Sequence, residues 1–290
     1  MPETDEDKQK SEVEALMTIF MKLTKAIKSN EGEWDTLEEL MEARANIAIK
    51  HAFDGFGISF EDAIELIEHA EDLTDEQRVN RDIIIAAVDN LVDFSVAQEY
   101  QMAMELPDFD DEPDDESDDE SDEDEIDEDV LEGMLAIFTK YNDRYAKIEN
   151  LDIEYAMMVA AFYKGIADSA VLTYMTQGDN RVRPWHRQYE GFTAPKSHFP
   201  AWLIPPIEHN CRCFLVEDSK SIIGQIQNKI NVPDMPDWFN PVFKESVALG
   251  GRIFSEEHSY FQITPEHLET LSDISLRIKS KYKLNGENTN

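Results

Sequence analysis

Apolar positions recur at three- and four-residue intervals through most of the first hundred residues. Val13, Leu16, Met17, Phe20, Leu23 and Ile27 form one stripe, and Leu37, Leu40, Met41, Ala45 and Ala48 form a second. That spacing puts side chains on one face of a helix. Thr36 precedes Glu39 by three residues, which predicts a capping box at the start of the second helix. Two glycines within Asp54–Phe60 predict a break. Ile64, Ile67 and Ala70 mark a short third helix. Ile83, Ile84, Ile85, Val88, Leu91 and Val92 cover more than one face of a fourth, running from about Asp75 to Glu105. A helix that is apolar on several sides is predicted to be the most buried of the set.

Helical spacing returns at Val130. Leu131, Met134, Leu135, Phe138, Tyr141 and Tyr145 read as one continuous core stripe, and a further helix from about Asp152 is apolar nearly all round between Ala156 and Phe162. Ala170–Thr176 reads as a short strand or the helix end leading into one, and Phe214–Val216 as a strand. Beyond them, Ser221–Ile230 is predicted helical, Met235–Phe243 is a proline-punctuated loop, and Glu266–Tyr282 is a closing helix behind Pro265. The predicted fold class is α+β, predominantly α-helical. It divides into a helical domain (1–106), an acidic disordered linker (107–129) and a second helical domain (130–290) with a small β unit.

Charge explains the gap between the two helical halves. The net charge is −37, and 17 of the 63 acidic residues lie between Asp108 and Asp129, where there is no Lys or Arg. Like charges at every spacing, with almost nothing apolar to bury, predict disorder. The rest of the chain remains acidic, which disfavours binding to nucleic acid through phosphates and favours a basic protein partner. The tract also lacks the glycine and terminal glutamate of a calcium loop. It reads first as a solvated spacer, and otherwise as a mimic of DNA charge that decoys DNA-binding host proteins.

The two cysteines, Cys211 and Cys213, stand one residue apart. A bridge across that spacing is strained, and two cysteines make no disulfide framework, so a reducing compartment is expected. The N-terminus carries no apolar leader, and the longest apolar run is too short to span a bilayer. A soluble protein is expected.

Chemistry concentrates between Asp179 and Cys213. This stretch holds both cysteines, His186, His198 and His209, the arginines Arg181, Arg183, Arg187 and Arg212, and five prolines that stiffen the backbone. Four readings are open. Cys211, Cys213, His209 and His186, with His198 in reserve, supply the sulfur and imidazole that zinc accepts. Cysteines two apart in a flat strand stand too far apart to share an ion, so this reading requires a local bend. In a nuclease reading, His186 acts as base with His209 and Asn210 near a metal, although Glu208 is the only carboxylate in the later half. In a thiol reading, His186 activates one of the cysteines, which lack the usual helix-start setting. In a clasp reading, Arg181 and Arg183 pair with Asp179 and Glu190 and fix a loop without catalysis.

The order Asp179-x-Arg181-Val182-Arg183-x-x-His186, then Gly191, Pro205-Pro206 and Asn210-Cys211-Arg212-Cys213, resembles the phage Mu F-like minor head proteins, the phage head morphogenesis family. Phe239–Phe261 also resembles the sequence that follows this motif in such proteins. The resemblance covers about 80 residues. It implies a non-enzymatic virion or procapsid component, found in the phage head and in the host cytoplasm during assembly. Its implied partners are the portal and other head proteins, and its implied role is in head assembly, DNA packaging or early infection. No membrane and no sequence-specific nucleic acid is implied. The chain departs from the family pattern at Glu208-His209, where a proline or tryptophan is common, and in its acidic tract.

Overall fold

The computed structural model describes residues 4–69, 71–107, 126–218 and 233–282. The fold is α+β and mostly helical. The helices are α1 (Asp5–Ser29), α2 (Glu33–Phe56), α3 (Phe60–Glu68), α4 (Asp75–Ala103), α5 (Glu128–Thr139), α6 (Ala146–Gly165), the single turn α7 (Pro184–Arg187) and α8 (Leu268–Lys281), with a π-helical segment, Lys140–Tyr145, joining α5 to α6. Strands β1 (Val171–Met175), β2 (Thr193–Pro195) and β3 (Phe214–Asp218) form one antiparallel sheet in the order β2-β1-β3. Most of the acidic tract and the helix expected at Ser221–Ile230 lie outside the described residues.

The predicted stripes of the first two helices pack inward. Leu16, Phe20 and Leu23 of α1 are buried, as are Leu37, Leu40, Met41, Ala45 and Ala48 of α2. Thr36 does not cap α2, which begins one turn earlier. Its hydroxyl donates to the carbonyl of Gly32, and Glu39 accepts from Lys22 instead of reaching back to the backbone. Ile83, Ile84, Ile85, Val88, Leu91 and Val92 of α4 are all buried, in keeping with a helix that is apolar on several sides.

The chain divides into two compact units that do not follow chain order. Unit 1 takes Met1–Ile47, Val92–Lys147 and Ile263–Ile278; unit 2 takes Ala48–Leu91, Ile148–Gln262 and Lys279–Asn290. The expected division at 106 and 130 assigned each half its own core, whereas each unit draws on both sides of the acidic tract. The physical reason is that single helices cannot bury their stripes alone, and the complementary stripes lie far apart in sequence.

Unit 1 is a helical assembly. Phe20 of α1 packs on Phe138 of α5 with ring centroids 4.7 Å apart. A buried polar cluster crosses its core: Arg44 Nε donates to Gln98 Oε1 (2.8 Å), and Asn142 Nδ2 donates to Glu99 Oε2 (3.1 Å). Gln98 also donates to the Tyr141 carbonyl, at 3.3 Å, inside the π-helical segment. A side chain that takes a backbone acceptor perturbs the regular ladder. The wider turn shifts the phase of the residues after it. Tyr141 therefore stays buried, but Tyr145, expected in the same stripe, is 41% exposed. Residues 268–278 of helix α8 also belong to this unit, bonding Ser275 to Asp93 and Arg277 to Glu38.

Unit 2 carries the sheet and the Asp179–Cys213 knot. Strand β1 is central, with Thr173 opposite Thr193 of β2 and Tyr174 opposite Leu215 of β3. Alternation along the strand places Leu172 and Tyr174 on one face, and both are buried. Helix α6 is buried at Asp152, Ile153, Met157, Ala160 and Tyr163, while Met158 and Phe162 are exposed. It is thus not enclosed on every side as its composition predicted. Its buried face is shaped by specific polar contacts to the knot as well as by apolar area. Gly55 of α2 allows a close approach, since a Cβ there would overlap the backbone of Glu154 in α6. Asn90 of α4 uses both ends of its amide on the later loop, accepting from Ile253 N (2.9 Å) and Phe254 N (3.1 Å) and donating to Phe254 O (3.0 Å).

Candidate metal centre

The knot is built on α6 and closed by crossing ion pairs. Tyr155 of α6 donates to the carbonyl of Cys213 at 2.5 Å, and one turn away Asp152 accepts from His209 Nδ1 (2.8 Å) and Asn210 N (2.7 Å). Asn210 adopts a left-handed φ of 56°, and Cys211 N donates to Glu208 O at 3.0 Å. Together these make the local bend that the cysteine spacing demanded. Cys211 to Cys213 lie outside any strand, and β3 begins only at Phe214.

Charged residues lock the two ends of the knot together. Arg212 Nη2 donates to both carboxylate oxygens of Asp179 at 2.9 Å, and this contact holds the Asp179 carboxyl below its usual range. Arg187 donates to the Asp179 carbonyl at 2.8 Å. Arg183 pairs with Glu208 at 3.2 Å and donates to His209 O at 2.9 Å. The clasp thus uses different partners from those expected. Asp179 takes the side chain of Arg212 and only the backbone amide of Arg181, while Glu190 accepts from Thr176. Gly191, at φ 82°, permits the turn that lets its amide donate to Tyr174 O at 2.8 Å. Pro205 and Pro206 are joined by a cis bond and are buried.

Three ligand-capable side chains converge inside this frame. His186, Cys211 and Cys213 bring their donor atoms within 4.8 Å of one another, and all three are buried. Pro184 opens the single turn α7 that presents His186. The ring's Nδ1 lies 3.3 Å from Cys213 Sγ and 3.9 Å from Cys211 Sγ. Its Nε2 lies 3.2 Å from Glu208 Oε2. A carboxylate that accepts from Nε2–H leaves a lone pair on Nδ1 facing the sulfurs, the arrangement that orients metal-binding histidines. Such a set could hold a metal ion.

His209 and His198 do not join this group. His209 is spent on Asp152 and packs edge-on against Phe243, with centroids 4.9 Å apart. His198 is exposed and meets Ser197. The nuclease arrangement therefore loses its second histidine. Asp152 was missed by sequence reasoning because it sits within an apolar helical pattern. Burial raises its pKa, against the hydrogen bonds from His209 and Asn210.

The two thiols differ. The Cys213 thiol is lowered by hydrogen bonds from Cys211 and Tyr174, against burial, whereas the Cys211 thiol is pushed well up by its contact with Cys213 and by burial. His186 between Cys213 and Glu208 has the order of a thiol–imidazole–carboxylate relay. A nucleophile must also be reached by its substrate, however. The adjoining pocket, about 70 Å³, is lined by Trp185, His186, Ile207, Glu208, Trp238, Phe239 and Asn240, and by neither cysteine. Among the described residues, no helix is long and apolar enough to cross a membrane. No protein-family model, curated protein or solved structure matches the chain.

Proposed function

We propose that this chain is a phage minor head protein that binds the portal and other head proteins during assembly, and that its Asp179–Cys213 knot is a non-catalytic clasp tied by zinc. The burial of the ligand set carries the non-catalytic reading. Cys211, Cys213 and His186 are 4%, 2% and 2% exposed, so the group is placed to hold segments together and not to meet a substrate. Two sulfurs and an imidazole are a donor set that zinc accepts, and an ion with two thiolates is electrically neutral, which suits a buried position. The head-protein reading rests on the order of residues, and it gains support because that order supplies the clasp. Asp179 meets Arg212, Arg183 meets Glu208, and His186 meets both cysteines.

Two measurements test the reading. Purified heads should contain the chain at low copy number; its absence from heads defeats the assembly role. Metal analysis of the purified protein should find about one zinc ion per chain, lost in Cys211→Ser. A chain purified without metal that also fails to take up added zinc defeats the tie.

A further inference from the structure

Two exposed tryptophans open on one cavity. Trp185 is 41% exposed and Trp238 is 49% exposed, and both line the pocket of about 70 Å³ beside His186 and Glu208. Single exposed aromatics are ordinary, but aromatic walls around a few polar groups are the make-up of a ligand site. The walls are braced. Trp238 leans on Tyr189 with centroids 6.3 Å apart, Tyr189 meets Trp202 edge-on at 5.2 Å, and Trp202 meets Phe239 edge-on at 5.4 Å. Trp185 is held through its Nε1, which donates to Glu208 Oε2 at 3.0 Å.

Glu208 is used unevenly. Trp185 Nε1, His186 Nε2 and Arg183 Nε all meet the same oxygen, Oε2, at 3.0–3.2 Å. The other oxygen, Oε1, accepts from no described residue. No Lys or Arg lines the pocket, and the nearby Arg183 is committed to Glu208 and to the His209 carbonyl. The cavity thus offers indole faces and one unused carboxylate oxygen, a set that attracts a cation. A guanidinium suits it better than an ammonium. It is planar, stacks on aromatic faces, pairs with carboxylates and is more weakly hydrated. Room for about five waters matches such a headgroup and excludes a bulky ligand. Asp234 and Asp237 are exposed on the segment that leads into Trp238. With the net charge of −37, they draw a basic partner toward the pocket.

Resting on the head-protein reading for the partner's being a protein, we propose that this pocket captures an arginine side chain of a basic partner. The guanidinium lies against Trp185 and Trp238, and one of its N–H groups donates to Glu208 Oε1.

The wild-type chain carries its own control, because Trp34 is 37% exposed and lies outside the pocket. In NMR spectra of the isotope-labelled protein, the peptide Ac-Gly-Arg-Gly-amide should shift the indole N–H signals of Trp185 and Trp238 saturably and leave that of Trp34 in place. The citrulline and leucine analogues, which lack the charge, should bind at least about tenfold more weakly, and so should the lysine analogue, which lacks the planar fork. Trp238→Ala should weaken binding of the arginine peptide about tenfold without lowering the melting temperature. The pair Asp234→Asn and Asp237→Asn should weaken it by about threefold at low salt and not at high salt. Equal binding of the citrulline or leucine analogue overturns the cation, and equal binding of the lysine analogue overturns the guanidinium. A Trp34 shift that matches the other two, or no saturable shift at all, overturns the pocket. Those failures leave the head-protein and zinc readings standing, whereas absence of the chain from heads defeats the assembly role and leaves an arginine pocket shown by these shifts in place.

Discussion

Asp152 shows how one side chain can shape a site that it does not enter. By accepting from both His209 and the Asn210 amide, it turns the chain so that Cys211 and Cys213 face the same imidazole. The cysteines and His186 were legible in the sequence because sulfur and imidazole are rare and stand out. Asp152 was not, since nothing in a linear pattern tells a buried carboxylate from one on a wet helix face. A pH effect belongs at this scale. Burial, together with the charge of His209, lowers His258 from 6.5 to about 4, and its Nδ1 accepts from Tyr260 N at 3.3 Å. The folded state keeps His258 neutral where the unfolded chain protonates it. Its contribution to stability is thus complete above pH 6.5 and is lost as pH falls toward 4. On the order of 3 kcal/mol is at stake across that window. His258→Gln should flatten the acid limb of a plot of melting temperature against pH; a limb parallel to that of the wild type contradicts the assignment.

Helices α1, α2 and α4 were legible because their apolar stripes repeat faithfully over several turns. The phase error came at the π-helical segment. A stripe through Leu131, Phe138, Tyr141 and Tyr145 assumes 3.6 residues per turn throughout, but the hydrogen bond from Gln98 to Tyr141 O comes from a residue 43 positions away. Local spacing cannot anticipate a distant side chain. The approach of α2 to α6 was invisible for a related reason: Gly55 looks like half of a turn signal, yet its lack of a side chain serves the neighbouring helix backbone. Gly55→Ala should therefore destabilise the protein by about 2 kcal/mol through overpacking, read as a lower midpoint in chemical denaturation. The control is Gly133→Ala, where an added Cβ meets nothing within 4 Å and a helical alanine should be neutral or stabilising. Equal effects at the two positions contradict the close approach.

Chain order misleads about the molecule as a whole. The acidic tract looks like a boundary between two independent halves, but unit 1 is completed by Val92–Lys147 and Ile263–Ile278, and unit 2 takes Ala48–Leu91 from before the tract. A site-specific protease sequence inserted between Ser117 and Asp118 tests this directly. After cutting, the two pieces should co-elute on gel filtration and part only in denaturant; pieces that separate in native buffer contradict the shared cores. Helix α8 carries a last consequence. Ser275 and Arg277 bond to Asp93 and Glu38, so the unit containing α1 lacks part of its framework until α8 has left the ribosome. Synthesis runs in one direction, while unit 1 closes by bringing α8 back to helices made long before it. Unit 1 therefore cannot close before α8 is made, and a nascent chain halted before Leu268 would present an unfinished apolar surface to the chaperones that wait for one.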